Sequence, residues 1–158
     1  ELRQRIERCH APYHQALQGL LQAAHARHGQ VFHINCHSMN AVSGSMGEGG
    51  PGVPRADMVL GDRDGTTCDP AFTDFVRSTL AGFGYEVKVN DPFKGVELVR
   101  AYSNPAQGRH SLQLEVNKRL YMHGSKGERH DGFVTLQAHL MTLLQRMGER
   151  FGAGGPQG

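Results

Sequence analysis

Two side chains of this 158-residue chain stand where proton transfer or metal binding would need them, His37 and Glu115. His37 closes the largely apolar run Val31-Phe32-His33-Ile34-Asn35-Cys36 and precedes Ser38, Met39 and a polar, glycine-rich loop. That order reads as a buried strand over residues 31–36 delivering a ligand or catalytic group at its C-terminal end, where open α/β sheets place their sites. One imidazole by itself is equally at home as a hydrogen-bonded core or rim residue. Glu115 lies in an alternating segment and shares a face with Gln113 and Asn117, away from Leu112, Leu114 and Val116. Such a face is either solvated or lines a cleft and presents a carboxylate. Beside a metal, a carboxylate can take a proton from bound water and return it to a leaving amine.

A second set of candidates would recognise charge. Asn90-Asp91-Pro92-Phe93-Lys94-Gly95 ends another expected strand, and Arg100 follows it. Asn-Asp-Pro is ordinary turn chemistry and a lone Lys or Arg is usually a solvated charge; the functional alternative is a grip on a substrate carboxylate, which the forked guanidinium suits. Residues 61–67 have the look of a phosphate-cradling loop but lack the GxxxxGK[ST] order, which makes a nucleotide site a weak reading. A thiol hydrolase using Cys36 or Cys68 is a further alternative. Cys36 and His37 cannot pair with each other, because neighbours on a strand point to opposite faces. His33 shares the side of Asn35 and His37 but lies about 13 Å from His37 on an extended strand, too far to bind the same ion.

The elements that must position these residues follow from periodicity. Ile6, Cys9, Tyr13, Leu17, Leu20, Leu21 and Ala24 form an apolar stripe on a helix that stops at Gly29, and Pro12 either kinks that helix or sits in the first turn of a second one. Residues 40–57 carry five glycines and two prolines and read as a mobile flap. Residues 58–61 predict a short buried strand. Asp69-Pro70 caps a helix through Phe72, Phe75, Val76, Thr79 and Leu80 that closes at Gly82 and Gly84. Residues 85–89 predict a strand, 91–110 a long connection, 111–120 the strand bearing Glu115, and 133–151 a closing helix before a Gly/Pro-rich tail at 152–158 expected to be disordered. Helices alternating with strands predict a single α/β domain over residues 1–151.

Composition narrows the partners. Seventeen Lys plus Arg against fifteen Asp plus Glu leave a net charge of +2, with the basic residues scattered, so neither nucleic acid nor an anionic membrane surface is implied. No apolar run approaches the ~20 residues that cross a bilayer. The three cysteines share no CxxC spacing, which points away from a disulfide framework or a cysteine zinc site and toward a reducing cytoplasm. Oligomeric state is not readable. His10, His14, His25 and His28, four of the ten histidines, share the first helical segment and are expected on its surface.

Five motifs in order, residues 35–39, 61–68, 90–95, 100–102 and 110–122, together with Ala11-Pro12-Tyr13-His14, resemble the N-formylglutamate amidohydrolase family. The resemblance implies the zinc carboxypeptidase-like α/β fold, a mixed, mostly parallel sheet flanked by helices with the site at the strand ends. It implies zinc as cofactor with His37 as a ligand, Glu115 as general base and acid, and Asn90, Lys94 and Arg100 at positions of substrate contact. The implied reaction releases formate from an acidic N-acyl amino acid, N-formyl-L-glutamate foremost, a step of histidine degradation. Asn35 stands where family members usually carry Asp. The remaining zinc ligands would come from an N-terminal family region outside these residues, which makes this chain the expected C-terminal majority of a longer domain. The competing expectation is a non-catalytic homologue that binds an acidic small molecule or a protein partner.

Overall fold

Nine residues of Val31–Met39 pair in parallel with nine of Arg109–Asn117, and this pair is the backbone of the molecule. The computed structural model describes residues 1–45, 50–124 and 127–152. In chain order the elements are α1 (Leu2–Arg5), α2 (Ala11–His28), β1 (Val31–Met39), β2 (Met58–Gly61), α3 (Pro70–Gly82), β3 (Val87–Val89), α4 (Glu97–Ala101), β4 (Arg109–Asn117), β5 (Met122–His123), β6 (Glu128–Arg129) and α5 (Gly132–Phe151). The main sheet has the order β1-β4-β2-β3, with β1/β4 and β2/β3 parallel and β2/β4 antiparallel. It is the mixed, mostly parallel α/β sheet expected from the alternating pattern.

One face of the sheet carries the core. Met58, Leu60, Leu112, Leu114 and Val116 point by strand alternation to the same side and meet Phe72, Val76 and Leu80 of α3 and Leu136, Leu143 and Met147 of α5. Burial of each large apolar side chain here contributes about 1.5–3 kcal/mol. The helix α3 starts as its residues dictate: Asp69 caps it by accepting from the Ala71 N–H at 2.8 Å, and Pro70 fills the first turn where no N–H is needed.

The opposite face is polar yet largely covered, contrary to the solvated alternative for Gln113, Glu115 and Asn117. These three are 1%, 6% and 0% exposed, because β4 is a central strand and α4 with its leading loop packs over it. That loop can approach only because residue 61 is glycine: a Cβ there would stand 2.6 Å from the Gly95 N.

Several expectations change in the folded chain. The first strand runs to Met39 rather than ending at Cys36, so His37 lies within β1. At Pro12 the second of the two alternatives holds, with the proline in the first turn of a second helix. A π turn over Ile6–His10, closed by the Ala11 N–H on the Ile6 carbonyl, bridges α1 to α2 and places Pro12 in the first turn of α2. The apolar stripe of that helix is not a core stripe. No α2 residue is fully buried and Leu20 is 71% exposed; Leu17, Leu21 and Ala24 are half-buried. The described parts of the expected flap are tied down: Ser43 N–H donates to the Val53 carbonyl, Arg55 N–H to the Ala41 carbonyl, and Val42 bridges Pro54. Its residues 46–49 lie outside the described part, as does the expected tail from 153 onward. The long connection contains α4, a helix of one turn and a half, too short to leave a periodic signal.

Candidate active site

The β1/β4 register sets His33 opposite Ser111, Asn35 opposite Gln113 and His37 opposite Glu115, three polar rungs on one face. Strand alternation alone would place each set on a face; only the pairing brings the two sets into contact. His33 Nδ1 lies 2.8 Å from the Ser111 hydroxyl. His37 Nδ1 lies 3.6 Å from Glu115 Oε1. Asn35 Nδ2 donates to His37 Nε2 at 3.0 Å, which leaves the imidazole proton on Nδ1, facing the carboxylate. Gln113 holds Glu115 from the side, its Nε2 donating to Oε1 at 2.9 Å while its Oε1 accepts from the Val96 N–H at 2.9 Å.

Burial pushes the Glu115 carboxyl above its usual range, against the pull of His37, Gln113 and Arg55. A carboxylate raised in this way is a better proton acceptor near neutral pH than a solvated one. A cavity of about 960 Å³ opens beyond the C-terminal ends of the same two strands, between Asn40–Gly44 on one side and Lys118, Arg119, Met122, His123 and Arg129 on the other, but neither His37 nor Glu115 lines it.

The other predicted contacts are placed elsewhere. Asn90 is spent on Asp62: its Nδ2 donates to Asp62 Oδ1 at 2.7 Å and its Oδ1 accepts from the Asp62 N–H at 3.1 Å. Asp62 also accepts from the Gly65 N–H at 2.8 Å and the Thr73 hydroxyl at 2.9 Å. The loop at 61–67 therefore cradles the chain's own carboxylate, which replaces the phosphate reading. Lys94 pairs with Asp64 at 3.0 Å, and Arg100 donates to Glu97 through Nε at 2.7 Å and through Nη2, both as exposed pairs. Neither joins the His37–Glu115 rung. Nothing in the structure activates either thiol of the hydrolase alternative: Cys68 is buried and its thiol is pushed up to about 11, and Cys36 is exposed on β1, on the face away from His37.

A family model described as N-formylglutamate amidohydrolase matches residues 1–122. The chain belongs to that family. The N-formylglutamate deformylase of Pseudomonas putida is 28% identical over 150 residues, 93% of this chain and 55% of that protein. That of Pseudomonas aeruginosa PAO1 is 31% identical over 112 residues, 70% of this chain and 41% of the relative. The crystal structure of N-formylglutamate amidohydrolase from Ralstonia eutropha JMP134 shares the fold with a TM-score of 0.84 and 42% identity over 94% of this chain and 53% of that one. The chain thus spans about half the length of the relatives it matches.

Family membership raises the question of zinc, and the residues in place answer it only in part. Among the described residues no group of three or more His, Cys, Asp or Glu side chains is arranged to hold a metal, whereas a catalytic zinc takes three protein ligands. His37 would be one ligand; it would have to release either Asn35 or its orientation toward Glu115. The described residues by themselves do not fit the ion.

Sequence reasoning also missed a cation. Arg55 lies in the glycine-rich loop with no periodicity to mark it, yet its charge reaches the Glu115 carboxyl and its guanidinium lies 4.7 Å above the Phe93 ring. Phe93 on one side and Asn117 on the other, both within motifs of the resemblance, border the place it occupies.

Proposed function

We propose that this chain carries the proton-transfer half of an amidohydrolase site that cleaves the formyl amide of N-formyl-L-glutamate to L-glutamate and formate, within histidine catabolism in the cytoplasm. The observation that carries the reading is the His37–Glu115 rung, a buried carboxyl with raised proton affinity beside an oriented imidazole, in a chain of the N-formylglutamate amidohydrolase family. Glu115 takes a proton from the attacking water and hands it to the departing amine nitrogen, so that the carboxylate is regenerated when formate leaves. Gln113 keeps the carboxylate turned toward His37, and its own orientation is locked by the Val96 N–H. His37 presents its Nδ1 side to Glu115 Oε1 at 3.6 Å, opposite it in the β1/β4 register. Zinc is part of the proposal as an ion ligated by His37 together with donors from outside the described residues, and it would supply Lewis acidity.

One observation favours a non-catalytic homologue instead: Asn35 occupies Nε2 of His37, and no further metal donors converge on it among the described residues. Elemental analysis and formate release separate the two. The hydrolase reading expects stoichiometric zinc that is lost in His37→Ala, and formate release that is lost in Glu115→Gln. Metal-free protein that binds N-formyl-L-glutamate without releasing formate would establish the binding homologue.

A further inference from the structure

Resting on that substrate reading, we infer that Arg55 is the residue that grips a carboxylate of the substrate's amino-acid half. Its backbone is wedged between the C-terminal ends of the two site strands. The Arg55 N–H donates to the Ala41 carbonyl at 3.0 Å, just beyond β1, while its carbonyl accepts from Arg119 Nη1 at 3.0 Å, just beyond β4. The neighbouring Ala56 carbonyl accepts from the buried Asn117 amide at 2.9 Å. Asn117 is two residues past Glu115, a rise of about 7 Å along a strand, which is within the reach of an arginine side chain.

The side chain is also pre-set. Its guanidinium lies over the Phe93 ring at 4.7 Å, and the Phe93 carbonyl belongs to the loop that presses on Gly61, the cross-strand neighbour of Gln113. Stacking on a ring leaves the edge of the guanidinium fork free for a planar anion. Most other cations near the strand ends are engaged by carboxylates or carbonyls: Lys88 by Asp91 at 3.0 Å, Lys94 by Asp64, Arg100 by Glu97, Arg119 by Asp57 at 2.8 Å and Arg63 by the Gly95 carbonyl at 3.0 Å, while Lys118 donates to the Asn40 amide oxygen at 3.2 Å. Arg55 has no carboxylate partner within ion-pair distance among the described residues, although its charge acts on Glu115. A cation left unpaired beside a general base can orient a dianionic substrate so that its amide faces that base.

The test is a titration of the protein, followed by backbone amide shifts, with N-formyl-L-glutamate and with its uncharged diamide. The wild type is expected to prefer the dianion, Arg55→Met to lose about 10- to 100-fold in affinity for the dianion with little change for the diamide, and Arg55→Lys to recover part of the loss. An intact amide spectrum in each variant controls for folding. Unchanged affinity in Arg55→Met, equal loss for both ligands, or no binding by the wild type would each overturn the assignment; so would collapse of the preference in Lys94→Met or Arg100→Met with Arg55→Met unaffected. Formate release is read separately. Its absence with the preference intact sinks the hydrolase reading alone, and hydrolysis by Arg55→Met with the wild-type KM sinks this assignment alone.

Discussion

Asp62, immediately after β2, and Glu115, inside β4, are both 6% exposed, and the fold treats them in opposite ways. Asp62 receives three side-chain hydrogen bonds, from the Gly65 N–H, the Asn90 amide and the Thr73 hydroxyl, and so has its negative charge met on both oxygens. Glu115 receives one from Gln113 among the described residues and faces His37 Nδ1 at 3.6 Å. A buried acid whose lone pairs are filled holds structure together and has no capacity left for chemistry. One that is buried and sparingly served retains a lone pair for a proton and pays for it with a raised pKa. The contrast separates the clasp of the fold from its reactive group, although a reading of residue types alone would rank both as candidates.

The contrast can be broken most forcefully at Glu115. Glu115→Gln should lower kcat for formate release by about 10²–10⁴-fold, the usual share of a general acid–base, while urea unfolding shows stability unchanged or slightly higher, because a buried charge has been removed. Asp62→Ala should do the reverse in kind. It strands the Asn90, Thr73 and Gly65 donors and is expected to cost about 2–4 kcal/mol in urea unfolding, with activity lost only in proportion to the unfolded fraction. Retained stability in Asp62→Ala would mean that the clasp is dispensable and the contrast false.

A smaller effect sharpens the picture. Gln113→Leu removes the bond that lowers the Glu115 pKa and orphans the Val96 N–H, so the acidic limb of the pH–rate profile should move to higher pH, with a stability loss of about 1–3 kcal/mol. An unmoved limb would place the kinetically important carboxylate elsewhere.

The smallest effect concerns the histidines at the other end of the same two strands. Burial lowers the pKa of both His33 and His110. Between the folded pKa and the ordinary value near 6.5, the unfolded chain binds more protons than the folded one, so this stability is present above about pH 6.5 and lost as pH falls below it. Urea midpoints measured at pH 7.5 and 5.5 should show the drop. It should be smaller in His110→Gln, whose ring accepts from the Asp69 N–H at 3.1 Å and can be replaced there by an amide oxygen.

Much of this fold was legible along the chain because local periodicity and burial agree. The helix from Asp69 is specified by its cap, its proline and its apolar spacing, all within one segment. Residues 58–61 are apolar and wholly buried, as a short interior strand should be. The first helix shows where the reasoning stops: Ile6, Tyr13 and Leu20 recur at helical spacing and remain exposed, since a stripe says which face could be buried but not what stands opposite it. Of the site, His37 and Glu115 were legible as strand-borne groups, whereas the local partners of Asn90, Lys94 and Arg100, expected at positions of substrate contact, were not. Arg55 left no pattern at all, because its place depends on contacts to residues 14 to 64 positions away.

The amino-acid order alone determined the alternation of helices and strands, the caps and stops, and the sorting of β4 into an apolar and a polar side, for these are set by interactions within a few residues. Tertiary structure decided what that polar side became. The choice of β1 as parallel neighbour put His37 opposite Glu115, and the cover supplied by α4 and its loop over Gly61 removed the water that would have left Glu115 an ordinary surface acid. Register and desolvation are properties of distant segments meeting, and no window along the chain contains them.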